Sequence, residues 1–238
     1  MDLFAIAEPR VFHVLKNSHF LILGLYLEIL RDSAFEKKLY LRQKMISKKP
    51  FYFLRHGETD WNCRQLCQGQ KDIPLNSVGR LQAVRCKILL SGINFVSICY
   101  SPLKRAAETA KIIAEGFPSS NLYPISELKE RAFGSLEGKS SQEMYLQEER
   151  EIQGEINCNQ EDSRFETRIS FEQRVEKGIN QALEKSSPVL IVSHGRVFYA
   201  ISSLLGVSLV KQLPHEVPIY CVPCDEEWNF LTNIKTNE

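Results

Sequence analysis

The apolar residues of this chain gather into short continuous runs, and the stretches between them carry apolar positions at helical spacing. Phe51-Tyr52-Phe53-Leu54 is a run of β-formers that ends at a turn, and it reads as a buried strand. Val189-Leu190-Ile191-Val192 is a second run of the same kind, leading into Ser193-His194-Gly195. Further strands are expected over residues 95–100 and 123–128, with a terminal hairpin formed by 219–222 and 228–231. Asn76 can cap a helix through Gly79, Leu81, Val84, Ile88 and Leu89, an apolar series at helical period. Pro102 suits the first turn of a helix reaching Ile113. Other helices are expected over 141–152, 170–183 and near 197–205. Such alternation predicts an α/β fold, a three-layer αβα sandwich with a mostly parallel central sheet.

The character of the chain changes near Lys48-Lys49-Pro50, so residues 1–48 are expected to be an N-terminal extension and 49–238 the folded domain. Two readings of the upstream segment stand side by side. In one, Met45 is the natural initiator; in the other, the segment is an amphipathic helix that docks on a partner or a membrane surface. Its apolar run from Phe20 to Leu27 is interrupted by Glu28, and it is shorter than the roughly 18–20 residues that cross a bilayer. It also lies far from the start and lacks a small-residue cleavage site. No integral membrane insertion is expected.

Composition adds exclusions rather than a function. An apolar fraction of 43% with 25% charged residues is that of a folded protein. Thirty basic side chains against 29 acidic ones leave a formal charge of +1, too little for a global field that gathers nucleic acid. Seven cysteines, an odd number without a secretory signal, read as reduced thiols and a cytoplasmic location.

The chemistry begins at Arg55-His56-Gly57-Glu58-Thr59, directly after the first strand, where open α/β sheets hold their ligands. Arg55 supplies a permanently charged fork suited to phosphate oxygens. An imidazole with one bare nitrogen can attack phosphorus, and the unperturbed pKa of about 6.5 leaves His56 largely neutral near pH 7 without help from a metal. Gly57 is expected to let the backbone turn and to leave room for an anion. In Ser101-Pro102-Leu103-Lys104-Arg105 the second arginine falls on the first turn of a helix that follows a strand, where helix amides also favour anions. His194 repeats the strand, histidine, glycine arrangement of His56. Two imidazoles and two guanidiniums are thereby directed at one edge of the sheet.

These motifs resemble the histidine phosphatase superfamily, which includes cofactor-dependent phosphoglycerate mutases and fructose-2,6-bisphosphatase. The signature Arg-His-Gly-Glu-Thr-x-Trp-Asn is matched by Arg55 through Asn62. The likeness continues through Gln68-Gly69, Asp72-Ile73-Pro74-Leu75-Asn76, the helix bearing Arg105, Glu127-Leu128-Lys129-Glu130-Arg131 and Ser193-His194-Gly195. The resemblance implies that His56 accepts the phosphoryl group, that Arg55, Arg105 and His194 hold its oxygens, and that Glu130 protonates the leaving oxygen. It makes Asn62, Gln68 and Gly69 substrate contacts. A general acid must be protonated when it acts, which burial or a neighbouring phosphate dianion can bring about.

Glu166-Thr167, Phe171 and Arg174 match a further family pattern, but Phe165 stands where many relatives have glycine. Arg164 and Arg168 are candidates for a second anionic group on the substrate. No cofactor is implied. No metal is expected either, because Cys63 and Cys67 fall within the stretch that resembles the family and Cys221 and Cys224 fit a strand end. His13, His19 and His215 match no part of the signature and are expected at the surface or in packing. The interval from Glu130 to His194 is short beside the long insertion of the mutases, which favours water as the final acceptor. The resulting expectation is a phosphatase acting on a small phosphorylated metabolite. A phosphoglycerate mutase-type transferase and a non-catalytic phosphate-ligand binding protein are the alternatives.

Overall fold

The computed structural model describes residues 46–155, 162, 164–207, 213–225 and 227–232. The expectations about Met45 and about a docking helix upstream of it lie outside the described residues. Ile46 is buried in the core, and Ser47 N donates to Asn180 Oδ1 at 2.9 Å.

Six strands form one sheet: β1 (Phe51–Arg55), β2 (Ser97–Tyr100), β3 (Asn121–Pro124), β4 (Val189–Ser193), β5 (Ile219–Cys224) and β6 (Glu227–Leu231). Their order is β3-β2-β4-β1-β5-β6, in which the first four are parallel and the terminal hairpin β5–β6 adds antiparallel to β1. The described helices are α1 (Asp60–Cys63), α2 (Ser77–Leu89), α3 (Lys104–Ala114), α4 (Ser141–Ile152), α5 (Arg168–Leu183) and α6 (Gly195–Leu204).

Strand side chains alternate between faces, and β4, buried along its whole length, feeds a separate core on each side. Val189 and Ile191 pack with Val175 and Ile179 of α5 and with Phe198 and Ile201 of α6. Leu190 and Val192 pack with Cys86 of α2 and with Ala106, Ala110 and Ile113 of α3. Two cores flanking one sheet make the three-layer αβα sandwich, and a strand covered on both faces accounts for the unbroken apolar run.

Element ends differ from the expectation in several places, and Pro102 lies ahead of α3, whose N-cap residue is Leu103, rather than in its first turn. β3 stops at Pro124, and Ser126–Leu128 makes a single 3₁₀ turn that buries Leu128. α6 starts at Gly195 with His194 as its N-cap residue. α2 has the expected Asn76 cap, with Oδ1 accepting from Gly79 N at 2.8 Å, but a different inward face. Gly79, Gln82, Ala83 and Cys86 are buried, whereas Leu81 and Ile88 are 59% and 65% exposed. A physical cause lies in the loop after β1. A Cβ on Gly79 would meet Glu58 O at 2.1 Å, and Gln82 Oε1 accepts from Glu58 N at 2.8 Å. Anchoring that loop sets the rotation of the helix, and its apolar stripe is left facing solvent. No helix among the described residues is long and apolar enough to cross a membrane.

Candidate active site

Strand register brings the predicted residues together. Arg55 is paired with Ser193 across β1 and β4, so His56 and His194 each sit one residue beyond the same ladder rung. His56 N continues the ladder to Ser193 O at 2.9 Å, and Ser101 N, past the end of β2, donates to Val192 O at 3.0 Å. Three adjacent parallel strands thus deliver His56, His194 and Ser101 to one sheet edge. The two imidazole centroids are 5.2 Å apart.

The protonation of His56 follows from its partners. Nδ1 lies 2.7 Å from Gly57 O, and a carbonyl can only accept, so Nδ1 carries the proton. Nε2 takes an N–H from Arg105 Nε at 3.2 Å and must therefore be bare. Burial, then Arg105, His194 and Arg55, hold the imidazole well below its ordinary pKa. His194 is fully buried and shifted in the same direction, by burial first and then by Arg105 and Arg55. Both rings are neutral around neutral pH.

Arg105 is 1% exposed and spends the rest of its fork on backbone, with Nη1 to Lys71 O and Nη2 to Gly69 O, both at 2.8 Å. Burial lowers its pKa to about 10, and the guanidinium stays charged. Gly69 has φ +50° and turns its carbonyl to that fork; a Cβ there would collide with Glu137 Oε1 at 2.1 Å. Arg55 Nη1 donates to Leu213 O at 2.8 Å, and its Nε is buried without a partner.

Four buried side-chain atoms lack a hydrogen-bond partner among the described residues: Arg55 Nε, Gln68 Oε1, His194 Nδ1 and Arg196 Nη2. Arg196 Nη2 does approach Glu148 Oε2 at 2.5 Å, as an ion pair without hydrogen-bond alignment. Arg55, Gln68 and Arg196 line one cleft of about 100 Å³ together with His56, Arg105 and Glu130. Unsatisfied buried polar atoms are costly, and Arg55 Nε and Gln68 Oε1 leave one donor and one acceptor open at a cleft that Arg105 and Arg196 also line. No group of His, Cys, Asp and Glu suited to a metal ion occurs among the described residues.

Glu130 lines this cleft, its Oε1 accepting from Arg131 N at 2.9 Å and its Oε2 from Arg196 N at 3.3 Å. The segment that carries it is fastened from behind by Arg174. Nη1 of that residue donates to Glu127 O at 2.7 Å and Lys129 O at 2.9 Å, and Nη2 to Glu130 O at 3.2 Å. Glu166 in turn grips Arg174 through two 2.7 Å bonds. Asn62 also lines the cleft, with Oδ1 held by Thr59 N at 3.1 Å. The structure therefore gathers Arg55, His56, Asn62, Gln68, Gly69, Arg105 and Glu130 around one cleft, and His194 packs on His56 beside it.

Other expectations change. Gly57 does not serve to make room for an anion: its Cβ would lie 2.3 Å from Gly79 O, so it permits two backbones to touch. Arg164 ion-pairs with Asp162 and Arg168 with Glu172, and neither lines the cleft. Phe165 is buried against Phe133, with ring centroids 5.7 Å apart, in a small core with Cys67 and Met144. His215 is the residue the sequence reading missed. Its Nδ1 donates to His56 O at 2.7 Å, and its ring lies 5.5 Å from that of His56. Burial and then Arg55 lower its pKa to about 4. No local signal marks it, since its partner is 159 residues away. His215, Asn62, Gln65, Gln142 and Tyr145 help to line a larger cavity of about 660 Å³ that shares Arg55 and Asn62 with the inner cleft.

Fold and site together define a class: a three-layer α/β protein with two strand-end histidines beside a cleft lined by three arginines. The family model of the histidine phosphatase superfamily (branch 1) matches residues 51–221, and the chain belongs to that superfamily. It is 36% identical over 151 residues to the uncharacterized phosphatase PhoE of Bacillus subtilis, covering 62% of this chain and 72% of that protein. It is 31% identical over 163 residues to GpmB of Escherichia coli O1:K1, named a probable phosphoglycerate mutase, covering 66% and 74%. A solved phosphoserine phosphatase of Entamoeba histolytica superposes with a TM-score of 0.64 at 25% identity, covering 79% of this chain and 98% of that one.

Proposed function

We propose that this chain is a phosphatase that hydrolyses small phosphomonoesters through a phosphohistidine on His56. The observation that carries the reading is the bare Nε2 of His56 in a buried ring of guanidinium and imidazole donors, with Glu130 lining the same cleft. In the first step the Nε2 lone pair attacks phosphorus while the phosphorus–oxygen bond to the alcohol breaks. Glu130 gives its proton to the departing oxygen. In the second step the Glu130 carboxylate removes a proton from water, the water oxygen bonds to phosphorus, and the nitrogen–phosphorus bond breaks to release inorganic phosphate. Dividing the reaction replaces one difficult displacement with two easier ones.

Arg55, Arg105 and His194 hold the transferred oxygens, and positioned positive groups are the main source of catalysis in phosphoryl transfer. Arg105 Nε, which donates into the nucleophilic lone pair, is taken over by a phosphoryl oxygen when substrate enters. No metal is needed in this scheme, because guanidiniums supply the positive charge. The adjoining cavity lined by Gln65, Gln142, Tyr145 and His215 accommodates the alcohol portion.

The named mutase relative supports a second reading, transfer of the phosphoryl group back to a sugar-acid acceptor. A panel of phosphorylated metabolites assayed in EDTA, with and without a bisphosphate primer, separates the two. Release of inorganic phosphate without primer is expected. Isomerised product dependent on primer supports the mutase, and retained turnover in His56→Ala refutes both.

A further inference from the structure

We propose that Ser101 is a positioning residue whose hydroxyl proton, donated to His194 Nε2, places the ring proton of His194 on Nδ1 as the donor to the bound phosphoryl group. Ser101 is fully buried just past the end of β2, and its Oγ lies 2.7 Å from His194 Nε2. The same Oγ accepts from Leu103 N at 3.4 Å, the contact made where the chain turns into α3.

Two arrangements of the protons are chemically open. If Nε2 carried the proton, Ser101 Oγ would accept from both His194 and Leu103. Its own hydroxyl hydrogen would then have no acceptor inside a sealed site, and His194 Nδ1 would present a lone pair to an anion. If Ser101 donates instead, its hydroxyl is satisfied on both sides and Nδ1–H is a donor in want of an acceptor. His194 Nδ1 is indeed a buried atom without a partner, as are Arg55 Nε and Gln68 Oε1 of the cleft beside it. The second arrangement satisfies Ser101 at once and His194 as soon as a phosphoryl oxygen arrives.

The two histidines then share one tautomer and use opposite ends of it. Gly57 O fixes the proton of His56 on Nδ1 so that bare Nε2 can attack. Ser101 fixes the proton of His194 on Nδ1 so that this very atom can donate. Arg105 and Arg55 could not do the same work as a neutral donor, and a hydroxyl one residue beyond β2 sets the difference.

The kinetic consequence rests on the phosphatase reading above, whereas the tautomer does not, so the test has two arms. In the first, the full chain carrying ¹⁵N-histidine is measured by NMR near neutral pH with saturating inorganic phosphate, and His194 is assigned by comparison with His194→Gln. Ring-nitrogen shifts are expected to show Nδ1 protonated and Nε2 bare, and Ser101→Ala is expected to lose that preference. In the second arm, Ser101→Ala is expected to lower kcat/KM and to weaken inhibition by inorganic phosphate by a common factor of about 10 to 100, the span of one hydrogen bond to a charged group. Ser101→Thr, which keeps the hydroxyl, is expected to recover most of both.

A wild-type His194 protonated on Nε2 overturns the proposal, whether or not the variants fold. So does a Ser101→Ala protein whose tautomer and phosphate affinity are unchanged. A wild-type protein that shows the Nδ1–H tautomer and binds phosphate, yet turns over no ester, supports the assignment of Ser101 and refutes the phosphatase reading instead.

Discussion

Replacing Arg174 by Met tests how Glu130, the proposed general acid, is held. Its guanidinium joins Glu166 through two 2.7 Å bonds and supports the carbonyls of Glu127, Lys129 and Glu130 at 2.7, 2.9 and 3.2 Å. Methionine keeps much of the apolar stem and removes every one of these donors. Breaking one side of a buried ion pair costs about 3–5 kcal/mol. With side chains 21% and 13% exposed, this pair belongs near the lower end of that span.

A second effect falls on catalysis. Without the fork the Lys129 carbonyl loses its bond to Arg174 Nη1, and a displacement of the Glu130 segment by about 1 Å can cost ~100-fold in rate. Proton donation matters most when the departing alkoxide is strongly basic. The expected result is therefore a fall of about 100-fold in kcat for an alkyl phosphate and a much smaller one for an aryl phosphate, accompanied by a loss of about 3 kcal/mol in urea unfolding. Arg174→Lys, charged but unable to form the fork, should lie between. Equal losses on both substrates, or unfolding within ~0.5 kcal/mol of wild type, would refute the reasoning.

Two further outcomes follow from the same geometry. His56, His194 and His215 all have lowered pKa values when folded, so the unfolded chain takes up protons first as the pH drops through 6.5; stability should be complete above that value and fall toward pH 4, with His215 alone contributing up to about 3 kcal/mol. Urea midpoints that stay flat across this window contradict the assignment. Gly57→Ala, whose Cβ would enter to 2.3 Å of Gly79 O, should destabilise the fold by about 1–3 kcal/mol and lower turnover by moving His56, as read by thermal unfolding and initial rates; a neutral substitution would mean that the two backbones can separate freely.

Much of the fold was written in short-range pattern. Unbroken apolar runs at Phe51–Leu54 and Val189–Val192 foretold strands covered on both faces, because a strand with helices above and below has no polar side to display. Arg55, His56 and His194 were legible because each lies within two residues of the end of such a run, and Arg105 because it opens a helix after a strand. Tertiary structure alone decided what depended on distant partners. The rotation of α2 was set by the touching backbones at Gly57 and Gly79 and by Gln82 on Glu58, and these contacts outweighed the apolar stripe of Leu81 and Ile88. His215 gained its place from a bond to His56 across 159 positions, and His194 Nε2 its partner in a hydroxyl 93 positions away. Residue type and spacing announce which groups can do chemistry; which nitrogen of an imidazole faces the substrate is settled by hydrogen bonds that form only once the strands lie side by side.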